Sequence, residues 1–126
     1  MKLRIRGNSV RLRLTRSEVE AFGKTGSVVE QTHFAAGGVM EYGLEAVADL
    51  AACTATFDGR AIRVLAPKPA VERWVNSDDV AVATSAAGTQ DGHALTVLIE
   101  KDFACLTERP GEDDSDAYPH PHPDEC

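Results

Sequence analysis

Apolar and charged side chains alternate from Lys2 to Leu14, interrupted only at Gly7-Asn8. A two-residue period predicts strands, and a Gly-Asn pair between two such runs supplies the positive φ values of a tight turn. The segment therefore reads as a hairpin, with Leu3, Ile5, Val10, Leu12 and Leu14 on one face. TRSEVEAFGKTG changes period and reads as a short helix. Thr15 is its N-cap, Glu18 completes a capping box, and Gly23 or Gly26 stops it.

SVVEQTHF (27–34) and VMEYGLEAV (39–47) have strand composition and flank the glycine-containing loop AAGG. AACTATF and RAIRVLA flank Asp58-Gly59, a strong short-range hairpin signal. In PKPAVERWVNS the prolines fit a first helical turn, and Val71, Trp74 and Val75 fall at helical spacing, which predicts a second short helix. DVAVATS and HALTVLIE read as two last strands joined by the polar AAGTQDG. The expectation is a mainly β domain of about eight strands and two short helices, in a meander of antiparallel strands. It would form a curved sheet or a partly closed barrel, with no internal repeat evident. Residues 1–106 would form this single domain, and 107–126 an acidic, proline-rich C-terminal segment able to fold back on it.

Charge divides the chain the same way. Of a net −7, the stretch from Glu108 to Cys126 carries −6, seven acids against Arg109, so residues 1–107 carry only −1. An acidic total argues against general nucleic-acid or anionic-membrane binding. No run of about 18 apolar residues offers a membrane span, and MKLRIRGNSVRL has no apolar core of a secretory signal. A cytoplasmic protein is expected, with a homo-oligomer or protein partner left open. No catalytic signature or cofactor fingerprint appears.

RIRGNSVRLRLTRSEV near the start, with IEKDFACL and DAYPHPHPDEC at the end, resembles the signatures of a family of short uncharacterised bacterial proteins. That family pattern reads RIRGNS(I/V)RLRLTxSEV, then EKDFxCL, then a proline-rich segment closing on a near-terminal cysteine. The resemblance implies a bacterial source and a single domain to which the tail belongs, and it brings no activity. His120 stands where the pattern has Asn, and His122 is likewise no part of it.

The tail nevertheless gathers ligand chemistry. Cys105 and Cys126, with His120, His122 and Asp116 between them, form a mixed thiolate and imidazole set. Such a set selects a transition metal, zinc first, with iron or copper as alternatives. The spacing matches no standard motif, and an acidic proline-rich tail serves equally well as a solvated terminus or an interaction module. A disulfide between Cys105 and Cys126 is the third reading. Cys53, among small apolar residues, reads as a buried inert thiol, while His33 and His93 read as half-exposed sheet residues.

The first hairpin offers a different chemistry. Alternation puts Lys2, Arg4, Arg6, Arg11 and Arg13 on one face, where like charges oppose each other unless something neutralises them. Glu30, Glu41, Glu45 or Glu100 on neighbouring strands could do so, as could the acids of the tail. Otherwise Arg4, Arg6, Arg11 and Arg13 form an anion site whose forked guanidiniums suit phosphate or polyphosphate. If the sheet closed with this face inward, the result would be an anion-lined tunnel.

Overall fold

The computed structural model describes residues 1–82, 85–104 and 116–119. The N-terminal hairpin forms as expected, with β1 (Lys2–Arg6) antiparallel to β2 (Ser9–Leu14). Helix α1 (Arg16–Thr25) follows. The Thr15 hydroxyl accepts from Glu18 N, and a Glu18 carboxylate oxygen accepts from Thr15 N at 2.9 Å. Gly26 ends the helix in the left-handed conformation (φ 76°), which glycine adopts without steric cost.

Next come the hairpins β3 (Ser27–His33)/β4 (Val39–Val47) and β5 (Thr54–Phe57)/β6 (Ala61–Pro67), both antiparallel. Helix α2 (Lys68–Val75) starts behind Pro67. The last hairpin pairs β7 (Ser85–Gly88) with β8 (Ala94–Lys101). Here the expected boundaries move. Among the described residues of DVAVATS, Ala81 makes an isolated bridge to Glu100 and only Ser85 enters β7, which continues into the Ala-Ala-Gly assigned to the linker. The true turn is TQDGH, where Thr89 N donates to His93 O at 2.9 Å.

The chain is mainly β with two short helices, but the antiparallel meander is not what forms. The strands make two four-stranded sheets, β1-β2-β8-β7 and β3-β4-β6-β5. In each, two hairpins meet through a parallel pairing of their second strands, β2 with β8 and β4 with β6. Turn residues specify hairpins locally, whereas which hairpins lie side by side is decided by long-range burial. The parallel joints are accordingly invisible to a local pattern. Among the described residues neither sheet closes into a barrel.

This topology also overturns the absence of a repeat. The chain is a ββαββ unit twice over, β1β2α1β3β4 and β5β6α2β7β8, and each sheet takes one hairpin from each unit. Buried residues correspond at a constant offset of 52 positions: Leu12 with Val64, Leu14 with Ala66, Val19 with Val71, Phe22 with Trp74. Over residues 2–25 only Gly7/Gly59, Arg11/Arg63, Val19/Val71 and Glu20/Glu72 are identical, so the repeat lies in burial rather than in letters.

The two inner faces and the two helices enclose one core built from these residues with Leu44, Val97 and Ile99. Gly23 lets the helices approach closely, since a Cβ there would lie 2.8 Å from Val75 Cγ1.

A last pair joins residues beyond Leu106 to the body. β10 (Tyr118–Pro119) runs parallel to β9 (Phe103–Ala104). Tyr118 N donates to Asp102 O at 2.7 Å, and Arg16 N donates to Asp116 O at 3.0 Å. The Tyr118 ring packs against Phe103 and lies under the Arg16 guanidinium.

Candidate anion site on the outer face of the first sheet

Residues alternate strictly on β1, β2 and β8, so the face turned away from the core carries three ranks across the strands. Arg6 faces Ser9, which faces Thr96; Arg4 faces Arg11, which faces Leu98; Lys2 faces Arg13, which faces Glu100. The basic face looks outward from an open sheet, so the expected tunnel does not form.

Among the described residues two carboxylates meet these five cations. Glu100, itself buried, places Oε1 2.6 Å from both Arg11 Nη2 and Arg13 Nε, and Asp102 Oδ2 lies 3.1 Å from Lys2 Nζ. Of the four glutamates considered for this task, Glu100 performs it. Glu41 lies on the second sheet and accepts from Gln31 Nε2 at 3.2 Å, Glu45 pairs across that sheet with Ser27, and Glu30 is engaged elsewhere.

Neutralisation stops short of the turn end of the hairpin. Among the described residues neither Arg4 nor Arg6 makes an ion pair, both are exposed, and Arg11 Nε is enclosed without a hydrogen-bond partner. Arg4, Arg6 and Arg11, with Ser9 and Thr96, line an open cleft of about 240 Å³. It adjoins a second of about 200 Å³ bounded by Lys2, Arg4, Arg11 and Arg13.

The internal repeat supplies a natural comparison. On the second sheet the corresponding cleft, about 180 Å³, is lined by Asp58, Ala61, Arg63, Glu41, Gln31 and Arg60. Arg6 is replaced there by Asp58 and Arg4 by Thr56, while Arg11 is matched by Arg63. Asp58 accepts from Arg60 N and Ala61 N at 2.8 Å each, bonds that hold its carboxyl below the ordinary carboxylate range. The same scaffold thus carries a cleft of mixed sign on one sheet and an all-cationic one on the other. The cationic character is no requirement of the fold.

Cys105, His120, His122 and Cys126 lie outside the described residues. Asp116 lies at the start of α1, where Ser17 Oγ donates to its carboxylate. That hydroxyl is the main reason its carboxyl sits below the ordinary range. Among the described residues no three His, Cys, Asp or Glu side chains cluster as metal ligands. Cys53 is buried in the core, and His33 and His93 are exposed, with His93 Nδ1 2.9 Å from Asp91.

Two polar sites escape a reading by pattern. The Met1 ammonium is enclosed between Glu18 and Glu30, the latter at 2.7 Å, and Tyr42 donates to Glu30 at 2.7 Å. Lys101 is buried, donates to Ser77 O at 2.7 Å, and lies 5.8 Å from the Trp74 ring centre and 5.3 Å from that of Tyr118. Burial lowers its pKa, against the attraction of Asp78 and Asp79.

No described helix is long and apolar enough to cross a membrane. The model of a family of unknown function matches residues 1–122. No curated protein and no solved structure matches the chain.

Proposed function

The chain belongs to that family, DUF7009, which brings no activity with it, and we propose that the protein binds a phosphate-bearing anion at Arg4, Arg6 and Arg11. The observation that carries the proposal is the contrast between the paired clefts. Where the repeat could have kept a mixed surface, the first sheet concentrates arginines, of which its own described carboxylates pair Arg11 and Arg13 through Glu100 and leave Arg4 and Arg6 unpaired. Guanidinium forks donate bidentately to phosphate oxygens, and those of Arg4 and Arg6 are exposed to do so.

A ligand that binds only the folded state raises its stability, by about 2.7 kcal/mol at a hundred times Kd. Millimolar inorganic pyrophosphate is expected to raise the melting temperature. Arg4→Ala with Arg6→Ala should abolish the rise, and Arg60→Ala in the counterpart cleft should leave it intact. Protection that survives in the double variant would end the proposal.

A second reading, a transition-metal site using Cys105 with His120, is supported by a separate observation. The parallel register pairs Phe103 with Tyr118 and Ala104 with Pro119, the residues that immediately precede Cys105 and His120. Register partners on neighbouring strands lie about 4.8 Å apart, so the residues that precede the two ligand types in sequence, Ala104 and Pro119, are neighbours. His122 and Cys126 follow within a few residues, and a cytoplasmic, reducing setting suits thiolate ligands. Protein purified without chelator is expected to hold about one zinc per chain, and Cys105→Ser should lower metal content and thermal stability together. Unchanged metal content in that variant would sink this reading.

A further inference from the structure

Resting on the anion reading, we propose that the ligand is a linear inorganic polyphosphate, of three or more phosphates, lying along β1 and β2 rather than a single phosphate in one cleft. The two clefts share Arg4 and Arg11 and together run from Arg6 to Lys2 and Arg13. Each rank of the face lies two residues beyond the last, about 6.6 Å, so the cations extend over about 13 Å of strand. One orthophosphate reaches a single rank. A chain of phosphates, charged at every phosphorus, reaches Arg6, then Arg4 with Arg11, the latter already partly compensated by Glu100, then the rim where Glu100 and Asp102 meet Arg13 and Lys2.

The compensation is graded along the strands, strongest at the Lys2 end and absent among the described residues at Arg6. A polyanion therefore docks with its terminal, most highly charged phosphate toward Arg6.

The face also disfavours nucleic acid. Along β1, β2 and β8 the outward residues are Lys, Arg, Ser, Thr, Leu and Glu, with no aromatic ring on which a base could stack. The chain's net charge of −7 opposes the long-range approach of a large polyanion, whereas a short one meets mainly the local field.

The experiment is calorimetric titration of the full chain with orthophosphate, tripolyphosphate and a short stable duplex DNA at one ionic strength. Linked phosphates gain from effective concentration, so tripolyphosphate is expected to bind at least about 100-fold tighter than orthophosphate. Arg4→Thr with Arg6→Asp, which copies the counterpart cleft, should erase that preference. Both side chains are exposed, so the melting temperature without ligand should stay where it was. Equal affinity for orthophosphate and tripolyphosphate would overturn the extended ligand while leaving the anion site standing. Tighter binding of the duplex than of tripolyphosphate would overturn the polyphosphate assignment. Failure of every phosphate to bind would overturn the anion reading itself.

Discussion

Trp74→Ala is expected to cost about 3–5 kcal/mol, the range for deleting a large buried aromatic, and to lower the melting temperature by more than about 10 °C. Three losses coincide at this position. The indole is 1% exposed, so its removal leaves a cavity where both sheets and both helices meet. Its Nε1 donates to Val80 O at 3.1 Å, a bond that helps hold the segment after α2, and without it that carbonyl keeps only the bond from Lys101 N at 2.9 Å. Its ring also faces the buried Lys101 ammonium.

Phe22 occupies the equivalent place in the first unit, fully buried, with no polar task. Phe22→Ala should therefore fall at the lower end of the same range, and Trp74→Phe, which keeps most of the volume, should cost about 1–2 kcal/mol. Urea denaturation of the three variants measures the order. A Trp74→Ala loss below about 1 kcal/mol would mean that the two helices do not share one core.

That pairing of Phe22 with Trp74 marks what a linear reading could and could not reach. The hairpin turns at Gly7-Asn8 and Asp58-Gly59, the Thr15 capping box and the start of α2 behind Pro67 were all legible, because each is encoded within a few residues. The side-by-side arrangement of hairpins was not. Parallel joints such as Leu12 to Ile99 and Leu44 to Val64 link segments whose only shared property is being apolar. DVAVATS alternates as a strand should, yet among its described residues Ala81 makes just an isolated bridge and only Ser85 joins a strand, and the alanine-rich stretch that carries β7 onward has no strand propensity to announce itself.

The site divides along the same line. Alternation alone placed Arg4, Arg6, Arg11 and Arg13 on one face. Which of them would be neutralised depended on the parallel partner β8, and so on Glu100. The counterpart cleft, which gives the arginines their significance, became visible only with the repeat.

The α-amino group of Met1 gives the second large effect, and its pH dependence identifies it. Burial alone would lower its pKa, but hydrogen bonds and charge attraction from Glu18 and Glu30 outweigh burial and raise it. Glu30 responds in the opposite sense. Burial would raise its carboxyl, while hydrogen bonds from the Met1 ammonium and Tyr42 hold it below the ordinary range. Burial and the bond to Glu30 push Tyr42 up to about 12, so it remains a donor throughout.

Because the folded amine has the raised pKa, its contribution is fully present below the unfolded value of about 8 and is lost as pH rises through the folded one. Glu30 contributes above its unfolded value of about 4.3 and loses that contribution as pH falls through its lowered one. Between these limits stability should be flat.

Glu18 carries two tasks that substitution separates. Glu18→Gln keeps a side chain competent in a capping box but removes the charge opposite Met1, at a cost of about 1.5 kcal/mol at pH 7. Glu18→Ala loses the cap as well, for a total of about 2–3 kcal/mol. Denaturation midpoints of wild type and Glu18→Gln, followed from pH 7 to pH 11, should converge as the amine deprotonates, whereas the further deficit of Glu18→Ala should persist. A gap between wild type and Glu18→Gln that stays constant up to pH 11 would mean that Glu18 does not hold the ammonium. β1, with Lys2, Arg4 and Arg6, would then owe its position to the hairpin register alone.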